Sequence, residues 1–194
     1  MYRYFKRFLD IVLSAAGLLV LSPILLIIAV AIKLDSKGPV LFKQKRVAKG
    51  KEHFQILKFR TMYADVPKDV PTHLLADPES KITKIGRFLR KSSLDELPQI
   101  WNILVGEMSI IGPRPALWNQ FDLIAERDKY GANDVRPGLT GLAQVMGRDE
   151  LPIEVKAKYD GEYAQNVTFA NDVKIFFKTI TSVLGAKVVK EGKQ

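Results

Sequence analysis

The longest apolar run, residues 11–32, holds 22 residues without a charge. As one straight helix it would measure about 33 Å, enough to cross a hydrocarbon core of about 30 Å. It ends at Lys33 and Asp35 rather than at a small-residue cleavage site, which argues against a cleaved signal peptide. Pro23 follows Ser22 near the middle of the run. A proline there removes a backbone donor and clashes with the preceding turn, so a break is expected, with the Ser22 hydroxyl helping to satisfy the freed carbonyls. Each half is then about 15–18 Å long and does not span alone. Arg3, Lys6 and Arg7 precede the run, and Lys33, Lys37, Lys43, Lys45 and Arg46 follow it. Both flanks being basic, a re-entrant helix with both ends on the cytoplasmic side satisfies the positive-inside rule, whereas a kinked single span satisfies it at one end only. The residues alone leave both arrangements open.

The remaining pattern is mixed. Residues 40–44 and 54–62 predict short strands around the Lys49-Gly50-Lys51 turn, a small β-hairpin. Lys58 and Arg60 alternate with Phe59 and so share a face of the second strand. Residues 65–80 are rich in Pro, Asp and Ser and predict a surface loop. In 81–91, Ile82, Ile85, Phe88 and Leu89 fall at helical spacing while Lys84, Arg87 and Lys91 fill the other side, the pattern of an amphipathic helix lying in the headgroup plane. An ordinary surface helix packed on a core gives the same pattern. Residues 94–104 predict a second helix with Ser93 as N-cap and a capping box formed with Glu96, ending before Gly106. Further helices are predicted over 116–130, 151–164 and 171–184, and a short strand over 142–146. The fold class is therefore α+β, predominantly helical. Its two parts are a membrane helix over residues 1–36 and a membrane-associated domain over 37–194.

Charge sharpens this picture. Residues 1–97 hold 18 Lys/Arg against 9 Asp/Glu, a net of +9, and residues 98–194 are neutral with 12 of each. The excess lies in the half with the apolar run, which favours anionic membrane lipids over nucleic acid as the partner. The chain has no cysteine, so disulfides and thiolate metal sites are excluded. His53 and His73 are isolated and carry no assigned role.

Candidate chemistry centres on Asp95 and Glu96. At the start of a helix the unpaired donors and the dipole stabilise carboxylates, so capping alone accounts for the pair. The functional reading keeps one carboxylate ionised as a nucleophile and gives the other to a metal ion, with a phosphate drawn to the same helix end. In Gly112-Pro113-Arg114-Pro115 two prolines fix the backbone around one arginine, which suits bidentate phosphate recognition and equally suits a rigid turn. Around Arg136, the run Pro137-Gly138-Leu139-Thr140-Gly141 allows close backbone approach beside a second arginine. Lys58 and Arg60 fit phosphate contact or a solvated face. No Gly-x-Gly-x-x-Gly, Walker loop, His-Glu-x-x-His or nucleophile elbow is present.

Taken together, these pieces resemble the bacterial sugar transferases, the small monotopic phosphoglycosyl transferases that start capsule or exopolysaccharide repeats. The resemblance rests on Lys6-Arg7-x-x-Asp10, Ser22-Pro23, Lys58-Phe59-Arg60-Thr61-Met62, Leu94-Asp95-Glu96-Leu97-Pro98-Gln99, Gly112-Pro113-Arg114-Pro115, Arg136-Pro137-Gly138-Leu139-Thr140-Gly141 and Gly147-Arg148, in that order along nearly the whole chain. It implies transfer of a sugar-1-phosphate from a UDP-sugar to a polyprenyl phosphate, usually undecaprenyl phosphate, with release of UMP. It implies Asp95 as nucleophile, forming a phosphosugar ester, and Glu96 as a catalytic carboxylate that helps hold Mg²⁺. It implies substrate contacts from Arg90, Arg114 and Arg136, and from Asp172. Lys58, Arg60 and Arg148 join that set of expected substrate-binding residues. It further implies a helix broken at Ser22-Pro23 that re-enters the inner membrane from its cytoplasmic face. Lacking the multi-helix extension of larger relatives, the chain is expected to be the minimal catalytic form. Homo-oligomer formation stays open, as does the sugar. Two rival readings remain: a non-catalytic lipid-binding module, and a single-pass phosphohydrolase that passes the intermediate to water.

Overall fold

A computed structural model describes residues 2–67, 77–147 and 151–184. Helix α1, Tyr2–Asp35, contains the whole apolar run and is long and apolar enough to cross a membrane. It continues through Ser22 and Pro23 instead of breaking there. The physical reason is local. Pro23 has no N–H for the carbonyl of Leu19, and the Ser22 hydroxyl donates to that same oxygen at 2.8 Å.

Strands β1 (Leu41–Val47) and β2 (His53–Phe59) form the expected antiparallel hairpin, with Leu41 opposite Phe59 and Val47 opposite His53. The turn is a short 3-10 segment, Lys49–Lys51, with Gly50 at φ 69°. Period-two alternation puts Phe54, Ile56 and Lys58 on one face of β2. Phe54 and Ile56 are buried there with Ile103 and Met108. Phe59, on the other face, joins Ile28, Ile32 and Leu89 in a second cluster, against which Leu94 and Leu97 pack.

Helix α2 spans Lys84–Ser92. Its N-cap is Thr83, whose hydroxyl accepts from the Gly86 N–H, and the Asp35 carboxylate accepts from the Ile85 N–H at 3.1 Å. The predicted continuous helix over 94–104 is not formed. Ser93 adopts the left-handed conformation (φ 57°) and closes α2, its N–H donating to Arg90 and Leu89 carbonyls. That backbone is incompatible with the extended conformation of an N-cap, so no capping box exists. Leu94–Glu96 instead form a 3-10 turn, and helix α3 starts after Pro98, covering Gln99–Val105. It ends, as expected, before Gly106, which takes φ 96°.

A short parallel pair, β3 (Ser109–Ile111) and β4 (Gly138–Thr140), crosses the middle of the domain. Helix α4 covers only Phe121–Asp128, shorter than predicted, because residues 116 and 117 are held against β1: Val47 N–H donates to the Ala116 carbonyl at 3.0 Å. Residues Leu142–Met146 form helix α5, not a strand. A short apolar run does not distinguish the two by periodicity. Helices α6 (Ile153–Gln165) and α7 (Phe169–Leu184) are the last described elements. Their Tyr163 and Ile175 are buried with Ile111.

Close backbone contact fixes the centre. A Cβ on Gly112 would lie 2.4 Å from the Arg136 carbonyl oxygen, and one on Gly138 would lie 2.1 Å from Gly112 N. Overpacking of this kind costs about 1–3 kcal/mol or more. Gly112→Ala should therefore lower the melting temperature by several degrees in a thermal unfolding scan, whereas Gly17→Ala, whose Cβ meets nothing nearer than 3.9 Å, should not lower it.

Candidate active site

Asp95 and Glu96 occupy the 3-10 turn between α2 and α3, anchored by Leu94 and Leu97 on the α1 cluster. Glu96 Oε1 accepts two hydrogen bonds, from Lys58 Nζ at 2.8 Å and from Arg114 Nη2 at 2.9 Å. Lys58 arrives because it continues the inward face of β2. Arg114 arrives because every residue of its loop is tied by its backbone. Gly112 N–H donates to the Thr140 carbonyl, and the Pro113 carbonyl accepts from Gly138 N–H. The Arg114 carbonyl accepts from Arg127 Nη2 at 2.9 Å, and the Pro115 carbonyl accepts from Arg46 Nη1 at 2.9 Å. Arg127 is itself held by the Asp160 carboxylate at 2.5 and 2.9 Å, and both residues are buried.

The two acids differ electrostatically. Burial of Glu96 would raise its pKa, but the charges of Arg114 and Lys58 and their hydrogen bonds outweigh this and hold it well below the usual carboxylate range. Asp95 makes no hydrogen bond or ion pair among the described residues. Burial, reinforced by the neighbouring Glu96 charge, pushes its pKa up to about 6, against the opposing pull of Lys58, Arg90 and Arg114. Arg90 is positioned by its Nε donating to Thr61 Oγ1 at 2.9 Å. The result is one locked carboxylate and one unengaged carboxylate beside three cations. Such an arrangement suits attack on a phosphorus atom whose oxygens the cations hold.

The donor set also fits a hard cation. Both described bonds to Glu96 go to Oε1, leaving Oε2, and the Asp95 carboxylate is adjacent. Mg²⁺ is commonly held by one or two carboxylates with substrate phosphates and water completing the shell, so the absence of a three-ligand cluster among the described residues is compatible with it.

Of the substrate-binding residues expected from the sequence, Lys58, Arg90 and Arg114 gather around the acid pair. The others do not. The Arg60 guanidinium lies at the C-terminal end of α1, donating to the carbonyls of Ser36 (2.8 Å) and Lys37 in the turn that follows the helix, and at 3.5 Å to that of Ile32 in its last turn. Asp172 is buried and accepts from Tyr2 Oη (2.6 Å), Lys6 Nζ (2.7 Å) and Tyr163 Oη (2.8 Å), which fastens α7 to the start of α1. Arg136 Nε donates to the Gly106 carbonyl at 2.9 Å, at the end of α3 remote from Asp95. Arg148 lies outside the described residues. Three supporting residues escaped the sequence reading: Thr61, Arg127 and Asp160. Thr61 sits in the quoted Lys58–Met62 motif, but nothing in the sequence pairs Arg127 with Asp160.

The chain matches the family model described as bacterial sugar transferase over residues 1–186. It is 42% identical over 188 residues to a UDP-glucose:undecaprenyl-phosphate glucose-1-phosphate transferase from Caulobacter vibrioides, covering 92% of this chain and 69% of that protein. It is 39% identical over 189 residues to a UDP-N-acetylgalactosamine-undecaprenyl-phosphate N-acetylgalactosaminephosphotransferase from Aeromonas hydrophila, covering 94% and 44%. It is 33% identical over 192 residues to the exopolysaccharide production protein ExoY of Sinorhizobium fredii, covering 92% and 84%. The chain thus spans less than half the length of some of the curated relatives it matches.

The electrostatics set a titration. The carboxylate form of Asp95 should predominate above pH about 6 and fall about tenfold per unit below it. Lys58→Met removes the largest opposing charge, so the Asp95 midpoint should move upward, as read by carboxyl-carbon NMR.

Proposed function

This chain belongs to the bacterial sugar transferase family, and we propose that it moves a sugar-1-phosphate from a UDP-sugar to undecaprenyl phosphate, releasing UMP. The observation that carries this reading is the division of labour in the acid pair: Glu96 held by Lys58 and Arg114, and Asp95 without a hydrogen-bond or ion-pair partner among the described residues. Relatives of near-equal identity are named for UDP-glucose and for UDP-N-acetylgalactosamine, and a UDP-sugar donor is what the two names share.

In the proposed reaction the diphosphate lies among Lys58, Arg90 and Arg114, which offset its charge. An Asp95 oxygen attacks the phosphorus next to the sugar, and the bond from that phosphorus to UMP breaks. UMP leaves with the electron pair. A phosphate oxygen of the lipid then attacks the same phosphorus, the Asp95–phosphorus bond breaks, and the carboxylate is restored. Glu96 would hold Mg²⁺. The metal supplies charge neutralisation for a diphosphate that otherwise repels an incoming carboxylate. Arg127 and Asp160 keep the Arg114 backbone in register throughout.

The same proposal places α1 as a re-entrant helix of a monotopic inner-membrane protein, facing the cytoplasm. What supports this is that both ends of α1 are bonded to one body: Tyr2 and Lys6 to Asp172, and Asp35 to the Ile85 N–H. The exposed side chains between, including Leu19, Val20, Leu26 and Ile27, are apolar. The pathway served would be capsule or exopolysaccharide initiation.

Asp95→Asn should abolish UMP release from a panel of UDP-sugars while the protein still partitions to membranes. With wild-type protein and UDP-sugar but no lipid, mass spectrometry should find a phosphosugar adduct on Asp95. Substantial activity in the variant would remove Asp95 as nucleophile. Inorganic phosphate or free sugar phosphate as product would favour a hydrolase, and no UMP with any donor a lipid-binding module. Topology is read separately: Tyr4→Cys and Leu34→Cys, both at highly exposed positions, should be labelled only from the cytoplasmic side.

A further inference from the structure

At the end of α3 remote from Asp95, a cleft opens between α1, the hairpin turn and the loop before β4. Arg3, Lys6 and Arg7 line it from α1, Lys49 from the hairpin turn, and Arg136 from the loop. The carboxylates among its lining residues are Asp10 and Asp134. Asp10 is already engaged by the Ile110 N–H at 3.0 Å. Five cations from three distant segments therefore face two acids.

Part of this charge has a structural account. Arg7 donates to the carbonyls of Ile103 (2.6 Å) and Leu104 (2.8 Å), and Arg136 Nε to that of Gly106, all at the negative end of α3. Lys6 bonds Asp172. That account leaves the two terminal nitrogens of Arg136. It also leaves Arg3 and Lys49, which make no hydrogen bond or ion pair among the described residues. In the cleft wall, Ser109 is 1% exposed and its Oγ has no hydrogen-bond partner among the described residues. Buried hydroxyls without partners are rare, because the lost hydration is not replaced.

The surroundings indicate what kind of ligand reaches this cleft. Arg3, Lys6, Arg7 and Asp10 recur at helical spacing and face it. Tyr4, Phe5 and Phe8 are exposed on the rest of the same two turns. Tyr2 and Phe5 meet Phe169 of α7 with ring centroids 6.3 and 6.5 Å apart. Aromatic rings and cations together at the mouth of an apolar helix mark the level of lipid headgroups.

We propose that this cleft is a binding site for the phosphate of an anionic bilayer lipid, held by Arg3, Lys49, the Arg136 terminal nitrogens and the Ser109 hydroxyl. It is separate from the acceptor lipid's site, since α3, about 10 Å long, lies between the cleft and Asp95. The proposal rests on the reading that α1 lies in the membrane. The bound lipid would fix the entry of α1 at headgroup depth.

The test uses full-length protein in phosphatidylcholine nanodiscs or mild detergent, titrated calorimetrically with short-chain phosphatidylglycerol, phosphatidylcholine of equal chain length, and inorganic phosphate. The comparison is the double variant Arg3→Gln, Lys49→Gln, both at exposed positions. Wild type should bind phosphatidylglycerol saturably and phosphatidylcholine not, and the double variant should bind phosphatidylglycerol at least about tenfold more weakly. Equal binding by wild type and variant, or equal binding of the two lipids, would overturn the site. Inorganic phosphate that binds as tightly as phosphatidylglycerol, and is lost in the variant, would overturn the lipid in favour of a free anion. UMP release on the same samples separates the two proposals. A wild type that binds phosphatidylglycerol through these residues yet releases no UMP would sink the transfer reading and leave the lipid site standing.

Discussion

Lys58 and Arg114 donate to the same oxygen of Glu96, so a hairpin strand, a proline-flanked loop and the 3-10 turn meet at one atom. A half-buried carboxylate is tolerable there only because two cations neutralise it. The consequence for Asp95 is direct. The cations that lock Glu96 also face its neighbour, but they make no bond to it. Burial and the Glu96 charge then raise Asp95 while the cations lower it, and the balance leaves a carboxyl poised about 6. A carboxyl with this balance is mostly ionised at neutral pH and has no fixed side-chain partner among the described residues.

The rest of the domain keeps Arg114 where Glu96 needs it. Four consecutive backbone residues, 112 to 115, are bonded to β4, Arg127 and Arg46. Gly112, Gly138 and Gly141 make this possible because no side chain fits where their backbones touch. The buried Arg127–Asp160 pair extends the same support to α6. A buried pair of this kind gives little net stability, but its geometry is fixed by several hydrogen bonds. Its structural return is the placement of the Arg114 carbonyl.

Helix α1 is fastened to this scaffold at both ends. Its start is tied to α7 and to the end of α3, and its finish to α2 and β2. Between these anchors the helix exposes mostly apolar side chains, so the same element packs on the domain at its ends and presents an apolar surface between them. The Ser22 hydroxyl takes the place of the donor that Pro23 lacks and lets the helix run on.

The sequence by itself determined the elements whose cause is local. The apolar run, the hairpin around Gly50, the stop at Gly106 and the mostly helical α+β class all follow from periodicity and glycine conformation. It also singled out Asp95, Glu96, Lys58 and Arg114, through motifs whose order is itself the signal, and Arg90 through the family resemblance those motifs carry. It did not reveal that Ser93 closes one helix instead of opening the next, because the left-handed turn depends on where α2 must stop against its neighbours. Nor did it separate Lys58 from Arg60, which share a strand face in sequence. Only the tertiary structure decided that Lys58 reaches Glu96 while Arg60 ties down the turn after α1, and that Asp172 fastens α7 to the start of α1. A charged side chain's partner is set by which distant segment packs beside it, and residue spacing along the chain carries no record of that.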